Sequence, residues 1–286
     1  MQFTDSHCHL DFSEFDKGIA ELLLQCKAKN IHRIIVPSVN PKHWQRVLSF
    51  TERQDTNVNI SCALGIHPWY LILQDKIYPT NYDLTFQEQQ LSQAILKNRH
   101  NIVAVGECGI DAFKAKKNTI NEQGFNQNIK LQQEFFDMQL HIAKQNNLPV
   151  IVHHCQSHSL ILPLLKQYKL DKAGVIHAFS GSYQQAIEYI NLGFKLGIGG
   201  TITYPRAKKT INAIKRLPLS SLLLETDAPA MPLLGMQGMN NSPLNLVTVF
   251  QALIALRSEP KEVIAEQIEA NVEQLFFANR TAIRSL

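Results

Sequence analysis

The sequence predicts an α/β fold, a (β/α)8 barrel formed by one domain that spans residues 1–286. Short apolar segments alternate with longer segments of helical periodicity, which is typical of βα units around a parallel sheet. The composition, 45% apolar and 18% charged, is that of a globular chain, without a break that marks a domain boundary. An open, doubly wound sheet is the alternative, but no glycine-rich phosphate-binding fingerprint follows the first strand.

Eight apolar segments have the length and composition of strands, and each is separated from the next by a polar or helical stretch. An eightfold repeat of this kind favours a closed barrel. The predicted strands are Phe3–His9, Ile34–Val39, Ile60–His67, Ile102–Cys108, Val150–His154, Gly174–His177, Phe194–Gly197 and Leu222–Glu225.

Helical periodicity occupies the intervals between the predicted strands. Apolar residues recur at helical spacing in Phe15–Lys29 and in Leu131–Gln145. The segment Ser182–Leu192 begins with a residue that favours the N-cap and is followed by Gly193, a common residue after a helix C-terminus.

Two further segments complete the predicted structure. A closing helix is expected from Pro260 to about Phe277, and its predicted buried residues are Val263, Ile264, Ile268 and Leu275. The polar segment Asp111–Gln127 contains three lysines and several asparagines. It is predicted to be a mobile loop over the barrel mouth, with a solvated surface loop as the alternative.

Several classes of protein are disfavoured by composition. No apolar run approaches the roughly 18–20 residues that span a bilayer, and no basic segment followed by an apolar one marks a signal peptide. Five cysteines without regular spacing indicate reduced thiols rather than a disulfide framework. We therefore expect a soluble, cytoplasmic protein that contacts no membrane. The net charge of +4 is compatible with a polyanionic substrate but does not indicate one.

The first predicted strand contains His7 and His9, separated by one residue. Side chains alternate along a strand, so two histidines at this spacing share a face, and imidazole is a common ligand for metal ions. Active sites of (β/α)8 barrels lie at the carboxyl ends of the strands. Candidate ligands recur at those ends. They are His7, His9, Glu107, His153, His177 and Asp227. Four histidines and two carboxylates suffice for two divalent ions bridged by one carboxylate.

Seven segments, in order along nearly the whole chain, resemble the TatD family of metal-dependent hydrolases and deoxyribonucleases, most closely its YjjV-type branch. Because they span the chain, the match is more specific than any single motif. The segments are DSHCHL at 5–10, GIHP at 65–68, GECGID at 106–111, LPVIVH at 148–153, IHAFSG at 176–181, GTITYPR at 200–206 and LETDAP at 224–229.

The resemblance implies a TIM-type barrel with two divalent ions (zinc, magnesium or manganese) that hydrolyses phosphodiester bonds in DNA by a metal-activated water. Carried over by motif, His7, His9 and Asp227 would hold one ion. His153 and His177 would hold the other, and Glu107 would bridge both. Asp227 is the candidate general base, since a carboxylate ligand can accept a proton from the attacking water. Glu107 and Asp227 are therefore the predicted catalytic residues.

Other positions are predicted to contact the substrate or support the ligands. His67 ends the third predicted strand and Arg206 follows the seventh, where barrels often bind phosphate. Asp5 and Glu225 share faces with candidate ligands and are candidates for orienting them. Lysines 114, 116 and 117 and the aromatic residues Trp69, Tyr70, Phe113, Phe179 and Tyr204 lie beside predicted mouth segments and could contact nucleic acid, although core packing is the commoner fate of such aromatics. No obligatory protein partner is evident, and a monomer is expected.

One segment departs from the family pattern. After the strand-5 histidine the family typically has a small residue and then an arginine, whereas this chain has His154 and Cys155. A cationic phosphate contact is therefore missing, which Arg206 and the three lysines could replace. We hypothesise that Cys155 lies close enough to the metals to make the site oxidation-sensitive or more selective for zinc. A neutral packing role is the alternative.

Two other functions remain open at the level of sequence. An amidohydrolase-type enzyme could act on a small phosphoester or amide at the same kind of barrel, but such sites commonly carry a carbamylated lysine where this chain has Glu107. A metal-stabilised binding protein with little turnover is the third possibility. The full set of six candidate ligands favours an enzyme over that scaffold.

Overall fold

The computed structural model describes residues 1–53, 58–71 and 83–278. Within these residues eight strands form one sheet, in which each strand pairs in parallel with the next along the chain. The predicted TIM-type (β/α)8 barrel is confirmed. The strands are β1 Phe3–Asp5, β2 Ile31–Pro37, β3 Asn59–Leu64, β4 Ile102–Asp111, β5 Val150–Cys155, β6 Gly174–Ile176, β7 Lys195–Ile198 and β8 Leu222–Leu224.

Hydrogen bonds between the first and last strands close the barrel. The N–H of Ser6 donates to the carbonyl oxygen of Leu224 at 2.9 Å. The buried carboxylate of Asp5 accepts hydrogen bonds from the N–H and the hydroxyl of Thr226, at 3.0 and 2.6 Å. Because β1 and β8 meet, the residues that follow them lie at the same mouth of the barrel.

The helices alternate with the strands, as the periodicity predicts. No helix in the described ranges has the length and apolar character needed to cross a membrane. The α-helices of these ranges are α1 Ile19–Ala28, α2 Trp44–Thr51, α3 Leu84–Lys97, α4 Ala112–Lys117, α5 Glu122–Gln145, α6 His158–Tyr168, α7 Tyr183–Ile190, α8 Lys208–Ile214, α9 Leu246–Ile254 and α10 Lys261–Val272.

The segment 111–127, predicted to be a loop, is mostly helical, so that prediction is wrong. The Asp111 carboxylate accepts a hydrogen bond from the N–H of Lys114 at 2.6 Å and caps α4. Asn121 accepts one from the N–H of Gly124 at 2.8 Å and caps α5. The aspartate and asparagine that suggested a loop therefore initiate helices. For the same reason α5 begins at Glu122, nine residues before the predicted start.

The first strand is shorter than predicted, and His7 and His9 follow it rather than lie in it. The Asp5 carboxylate accepts a hydrogen bond from the N–H of His7 at 3.2 Å. This side-chain bond replaces the strand-to-strand hydrogen bond that the N–H would make if β1 continued. Strand β6 likewise ends one residue before His177. These candidate ligands thus lie on the connections at the carboxyl ends of the strands.

Strand β4 contains a bulge at Glu107. Val105 pairs with Val150, whereas Cys108 pairs with Val152, so β4 advances three residues while β5 advances two. A bulge interrupts the alternation of side chains and can redirect one of them. Glu107 is 1% exposed and lies inside the mouth, a position that alternation alone does not determine.

The end of the barrel opposite the mouth is closed by α10 and a π-helical turn over Glu273–Phe277. Arg33, near the start of β2, forms an ion pair with Glu273 at 2.6 Å. Side chains of the closing segment join an apolar cluster with residues of the strands. The cluster comprises Ile35, Ala63, Val103, Ala104, Ile151, Val175, Leu223, Val272, Leu275 and Phe276.

One prediction for the closing helix is wrong. Ile264, Ile268 and Leu275 are at most 5% exposed, as predicted, whereas Val263 is 47% exposed. Successive helical residues point about 100° apart, so Val263 and Ile264 do not both face the barrel.

Replacing Phe276 with alanine is expected to lower the free energy of unfolding by about 3–5 kcal/mol, because it leaves a cavity in this closing cluster. Val263→Ala is the matched control on the same segment, with an expected change within about 0.5 kcal/mol. Denaturant unfolding of both variants measures the difference. Equal destabilisation by the two substitutions would contradict the proposed packing role of Phe276.

Candidate metal centre

Four side chains converge on one point at the mouth. The Nε2 atoms of His7 and His9 lie 3.2 Å apart. Oε2 of Glu107 lies 3.2 Å from Nε2 of His7 and 3.4 Å from Nε2 of His9. Oδ1 of Asp227 lies 3.5 Å from the same two nitrogens. The four atoms therefore surround a small common volume.

The spacing of these four atoms fits a metal ion. Tetrahedral ligands about 2.0–2.1 Å from zinc are about 3.3 Å from one another. The five distances quoted above range from 3.2 to 3.5 Å and match the edges of such a tetrahedron. Among the described residues, His7, His9 and Asp227 form one of three groups whose donor atoms are close enough to share an ion.

The other carboxylate oxygen of Glu107 faces a second set of imidazoles. Oε1 lies 2.9 Å from Nδ1 of His153 and 2.8 Å from Nε2 of His177. These two nitrogens are 3.2 Å apart. Nε2 of His67 lies 3.1 Å from the same oxygen. Glu107 thus stands between two clusters of donor atoms, one on each carboxylate oxygen.

Hydrogen bonds on the far side of the rings determine which nitrogen faces the centre. Nδ1 of His9 lies 3.2 Å from the carbonyl oxygen of Pro37, which can only accept, so Nδ1 carries the proton. Nε2 of His153 lies 3.1 Å from Oδ2 of Asp111 and donates to it. The remaining nitrogen of each neutral ring then presents a lone pair to the centre, as ligation requires.

His67 has the opposite arrangement. Its Nδ1 accepts a hydrogen bond from the N–H of Trp69 at 3.0 Å, so Nε2 of the neutral ring carries the proton. That proton points at Glu107, 3.1 Å away. His67 is therefore placed as a hydrogen-bond donor rather than as a ligand, although it belongs to a third donor group with Glu107 and His153.

Two buried carboxylates hold the backbone around the ligands, as predicted for Asp5 and Glu225. Asp5 binds the N–H groups of His7 and Thr226. Oε1 of Glu225 accepts a hydrogen bond from the N–H of Ala178 at 2.5 Å and lies 3.7 Å from Nδ1 of His177. Each carboxylate thus fixes a segment that carries a candidate ligand.

The backbone at two positions is unusual and brings the ligands close. Asp227 has a φ of +56°, a conformation that non-glycine residues adopt rarely, and its N–H donates to the carbonyl oxygen of His7 at 2.9 Å. At Gly109, with φ of +140°, a Cβ atom would lie 2.2 Å from the carbonyl oxygen of His153. Glycine at this position permits the close approach of β4 to β5.

Burial and charge shift the ionisation of these groups in the metal-free chain. Burial raises the pKa of Asp227 to about 6 and lowers the pKa of His67 to about 4. Burial alone would raise the pKa of Glu107, but neighbouring imidazoles, His177 foremost, hold it well below its usual range. An ionised carboxylate at the centre and a neutral His67 suit a site for cations.

The cationic side chains at the mouth lie on both sides of the centre. Arg206 lines a cavity of about 450 Å³ beyond β6–β8, together with Ser180, Thr201, Tyr204 and Lys209. On the β3–β4 side, Lys114 lies over the ring of Trp69, with its Nζ 4.2 Å from the ring centroid. Positive charge thus flanks the candidate metal centre.

All six predicted ligands and His67 are brought together, whereas Arg206 lies in the adjacent cavity. Cys155 is half-buried, burial raises its thiol pKa to about 11, and it joins none of the three donor groups of the described residues. Its effect on the metal stays a prediction.

Two further carboxylates at the centre, Asp111 and Asp11, have no role predicted from the sequence. Oδ2 of Asp111 accepts hydrogen bonds from Nε1 of Trp69 and Nε2 of His153. Asp11 is 2% exposed, and its carboxylate lies 2.7 Å from Nδ1 of His43 and 3.9 Å from Nδ1 of His9. Asp111 ends the motif GECGID and Asp11 follows the motif DSHCHL, and these positions are the feature of the sequence that could have indicated a role at the centre.

Replacing Asp111 with asparagine is expected to weaken metal binding by about 10–100-fold, since the partner that orients His153 is altered. Metal titration of the apo chain measures this effect. Asp171→Asn, at an exposed turn, is the control. Unchanged affinity in Asp111→Asn would show that His153 needs no such partner.

Fold and geometry define a (β/α)8 barrel whose mouth carries a set of nitrogen and carboxylate donors suited to divalent ions. Residues 4–277 match the family model described as "TatD related DNase". The chain is 42% identical over 276 residues to the metal-dependent hydrolase YjjV of Escherichia coli (strain K12), covering 96% of this chain and 98% of that protein. It is 39% identical to a metal-dependent hydrolase of Haemophilus influenzae, covering 96% and 100%.

The crystal structure of E. coli YjjV, described as a TatD homolog, superimposes with a TM-score of 0.84 at 40% identity, covering 96% of this chain and 97% of that one. The chain therefore belongs to the TatD family and is a metal-dependent hydrolase. This confirms the family predicted from the seven sequence segments.

Proposed function

We propose that this chain is a two-metal phosphodiesterase that hydrolyses DNA. The observation that carries the proposal is the position of Glu107, whose two oxygens face two separate clusters of imidazole nitrogens. A carboxylate in this position can bridge two divalent ions. Its place in a barrel of a family described as DNases supplies the reaction class.

The distances support a division of the ligands between two ions. His7, His9 and Asp227 would hold one, with Oε2 of Glu107. His153 and His177 would hold the other, with Oε1 of Glu107. Imidazole nitrogen is a donor typical of zinc, whereas carboxylate oxygen also suits manganese and magnesium, so each of these three metals is compatible with the set.

Bound divalent ions supply Lewis acidity and lower the pKa of a coordinated water from about 15.7 towards about 7. The side chains of the protein transfer the proton and position the donor atoms. The Asp227 carboxylate, whose Oδ1 faces the imidazoles and whose side chain is 13% exposed, accepts the proton of the attacking water on its other oxygen. Glu107 fixes the position of the two donor clusters relative to each other. Asp227 and Glu107 are therefore the proposed catalytic residues.

Substrate contacts are proposed on the two sides of the centre. Arg206, in the cavity beyond β6–β8, is suited to bidentate contact with a phosphate that flanks the scissile one. The Nε2–H of His67 faces Glu107 in this structure, and we propose that it donates instead to a phosphoryl oxygen when substrate is bound. Cations on both sides of the site favour a substrate with several phosphates, such as DNA.

Hydrolysis of a labelled single-stranded oligodeoxynucleotide tests the proposal. The metal-loaded protein is expected to cleave the oligonucleotide. Chelation should abolish cleavage, and added zinc, manganese or magnesium should restore it. The surface variant Glu134→Gln is the matched control and should cleave like the wild type. The lengths of the products distinguish removal of terminal nucleotides from internal cleavage.

Two outcomes would overturn the DNA assignment. Chelator-sensitive hydrolysis of 4-nitrophenyl phosphate esters without cleavage of DNA would assign the same centre to a small phosphoester. Hydrolysis of an amide or lactone alone would indicate an amidohydrolase-type activity, as in the alternative left open by the sequence.

A further inference from the structure

Trp69 lies at the mouth in an unusual state for a tryptophan. It is 49% exposed, whereas Trp44, the other tryptophan, is 8% exposed. Phe113, which follows the capping residue of α4 by two positions, is 51% exposed. Tryptophan is enriched at surfaces that bind a partner or ligand.

The exposed ring is nevertheless held in place. Its Nε1 donates a hydrogen bond to Oδ2 of Asp111 at 2.6 Å, and the backbone N–H of Trp69 donates to Nδ1 of His67 at 3.0 Å. The ring centroid lies 5.1 Å from that of His67 and 6.0 Å from that of His153. The indole is thus fixed against two imidazoles that both contact Glu107.

Positive charge accompanies the ring. Nζ of Lys114 lies 4.2 Å from the centroid of Trp69, and Lys116 and Lys117 follow on the same short helix, α4. Within the described part of the chain, none of these three lysines forms an ion pair with a carboxylate. Their charge remains available for an anionic ligand.

We propose that Trp69 is a stacking platform for a nucleobase of single-stranded nucleic acid, and that Lys114 contacts the adjoining phosphate. This subsite rests on the proposed function and specifies its substrate as an unpaired end or strand. A flat, fixed ring binds a base through the π-face that Lys114 does not cover, and the neighbouring ammonium groups bind the backbone, the combination used for single strands. A paired base is stacked within the duplex and does not offer its face.

Stacking on the open part of Trp69 is expected to strengthen binding roughly 5- to 150-fold. Because the indole N–H also holds Asp111, two substitutions are needed to separate stacking from positioning. Trp69→Phe removes the N–H but keeps an aromatic face, whereas Trp69→Leu removes both. Phe86→Leu, at an equally exposed aromatic residue of α3, is the matched control.

The experiment measures binding rather than turnover. A fluorescein-labelled oligothymidine of about eight nucleotides, with phosphorothioate linkages that resist cleavage, is titrated with metal-loaded protein and followed by anisotropy. An abasic oligomer of the same length is the comparison. We expect Trp69→Leu to bind oligothymidine roughly 5- to 150-fold more weakly than the wild type does. Trp69→Phe and Phe86→Leu should bind nearly as the wild type does. The wild type should bind the abasic oligomer as weakly as Trp69→Leu binds oligothymidine.

Equal affinity of the wild type for the two oligomers would overturn the stacking platform, as would unchanged binding in Trp69→Leu. Equal weakening in Trp69→Phe and Trp69→Leu, with loss of metal in both, would show that Trp69 only positions Asp111, and so would also overturn it. In each case cleavage of DNA by the wild type would still support the proposed function. Failure of the wild type both to bind and to cleave single strands would remove both proposals together.

Discussion

Glu107→Gln is expected to lower kcat by at least about 100-fold, beyond the effect of losing a hydrogen-bond partner of a metal ligand. The neutral amide keeps the size of the side chain but removes the charge that stands between two clusters of imidazoles. Oε1 and Oε2 of Glu107 contact all four histidines assigned as ligands, at 2.8–3.4 Å. Its two oxygens face different clusters, so this substitution affects both.

Steady-state hydrolysis with the phosphodiester substrate measures the loss. Glu134→Gln is the control, because its carboxylate lies on α5 in a surface pair with Lys130. Circular dichroism of the variant should show the helical signal of the wild type, since the change leaves the apolar clusters intact. Activity of Glu107→Gln within a few-fold of the wild type would show that the carboxylate does not bridge catalytic ions.

Asp227→Asn is expected to lower kcat by about 10²–10⁴-fold, the contribution typical of a general base. Asparagine retains an oxygen ligand and tolerates the left-handed backbone at this position, where φ is +56°. The cluster of His153, His177 and Oε1 of Glu107 does not include Asp227. Unlike Glu107→Gln, this variant should therefore keep at least one of its ions.

The rate of Asp227→Asn, compared with that of the exposed control Asp171→Asn, tests this role. A drop in kcat with little change in KM is the expected pattern, since the proton transfer occurs in the transition state. A variant that hydrolyses normally would contradict the assignment of Asp227 as the base.

The sequence predicts the centre well because its ligands lie within or just after apolar strands that recur in order along the chain. In a closed parallel barrel the carboxyl ends of all strands meet, so His7, Glu107, His153, His177 and Asp227 had to lie near one another once the barrel was predicted. Strand alternation does not explain why His7 and His9 share a face, since both lie beyond the end of β1. Their Nε2 atoms lie 3.2 Å apart because of the conformation of the loop after β1, not because of side-chain alternation in a strand.

Other features depended on contacts that no local pattern contains. The bulge at Glu107 is determined by the register between β4 and β5. The hydrogen bonds from Trp69 and His153 to Asp111 join three segments that are distant in sequence. The polar segment after Asp111 has the composition of a loop because it consists largely of capping and solvent-facing residues, although it forms helices.

Metal content of the purified wild-type protein, determined by elemental analysis after reloading and removal of free metal, tests the central proposal most directly. Two divalent ions per chain are expected, one for each oxygen of Glu107. Glu107→Gln, treated identically, should retain less than one. A single ion in the wild type, or an undiminished content in the variant, would contradict a centre bridged by Glu107.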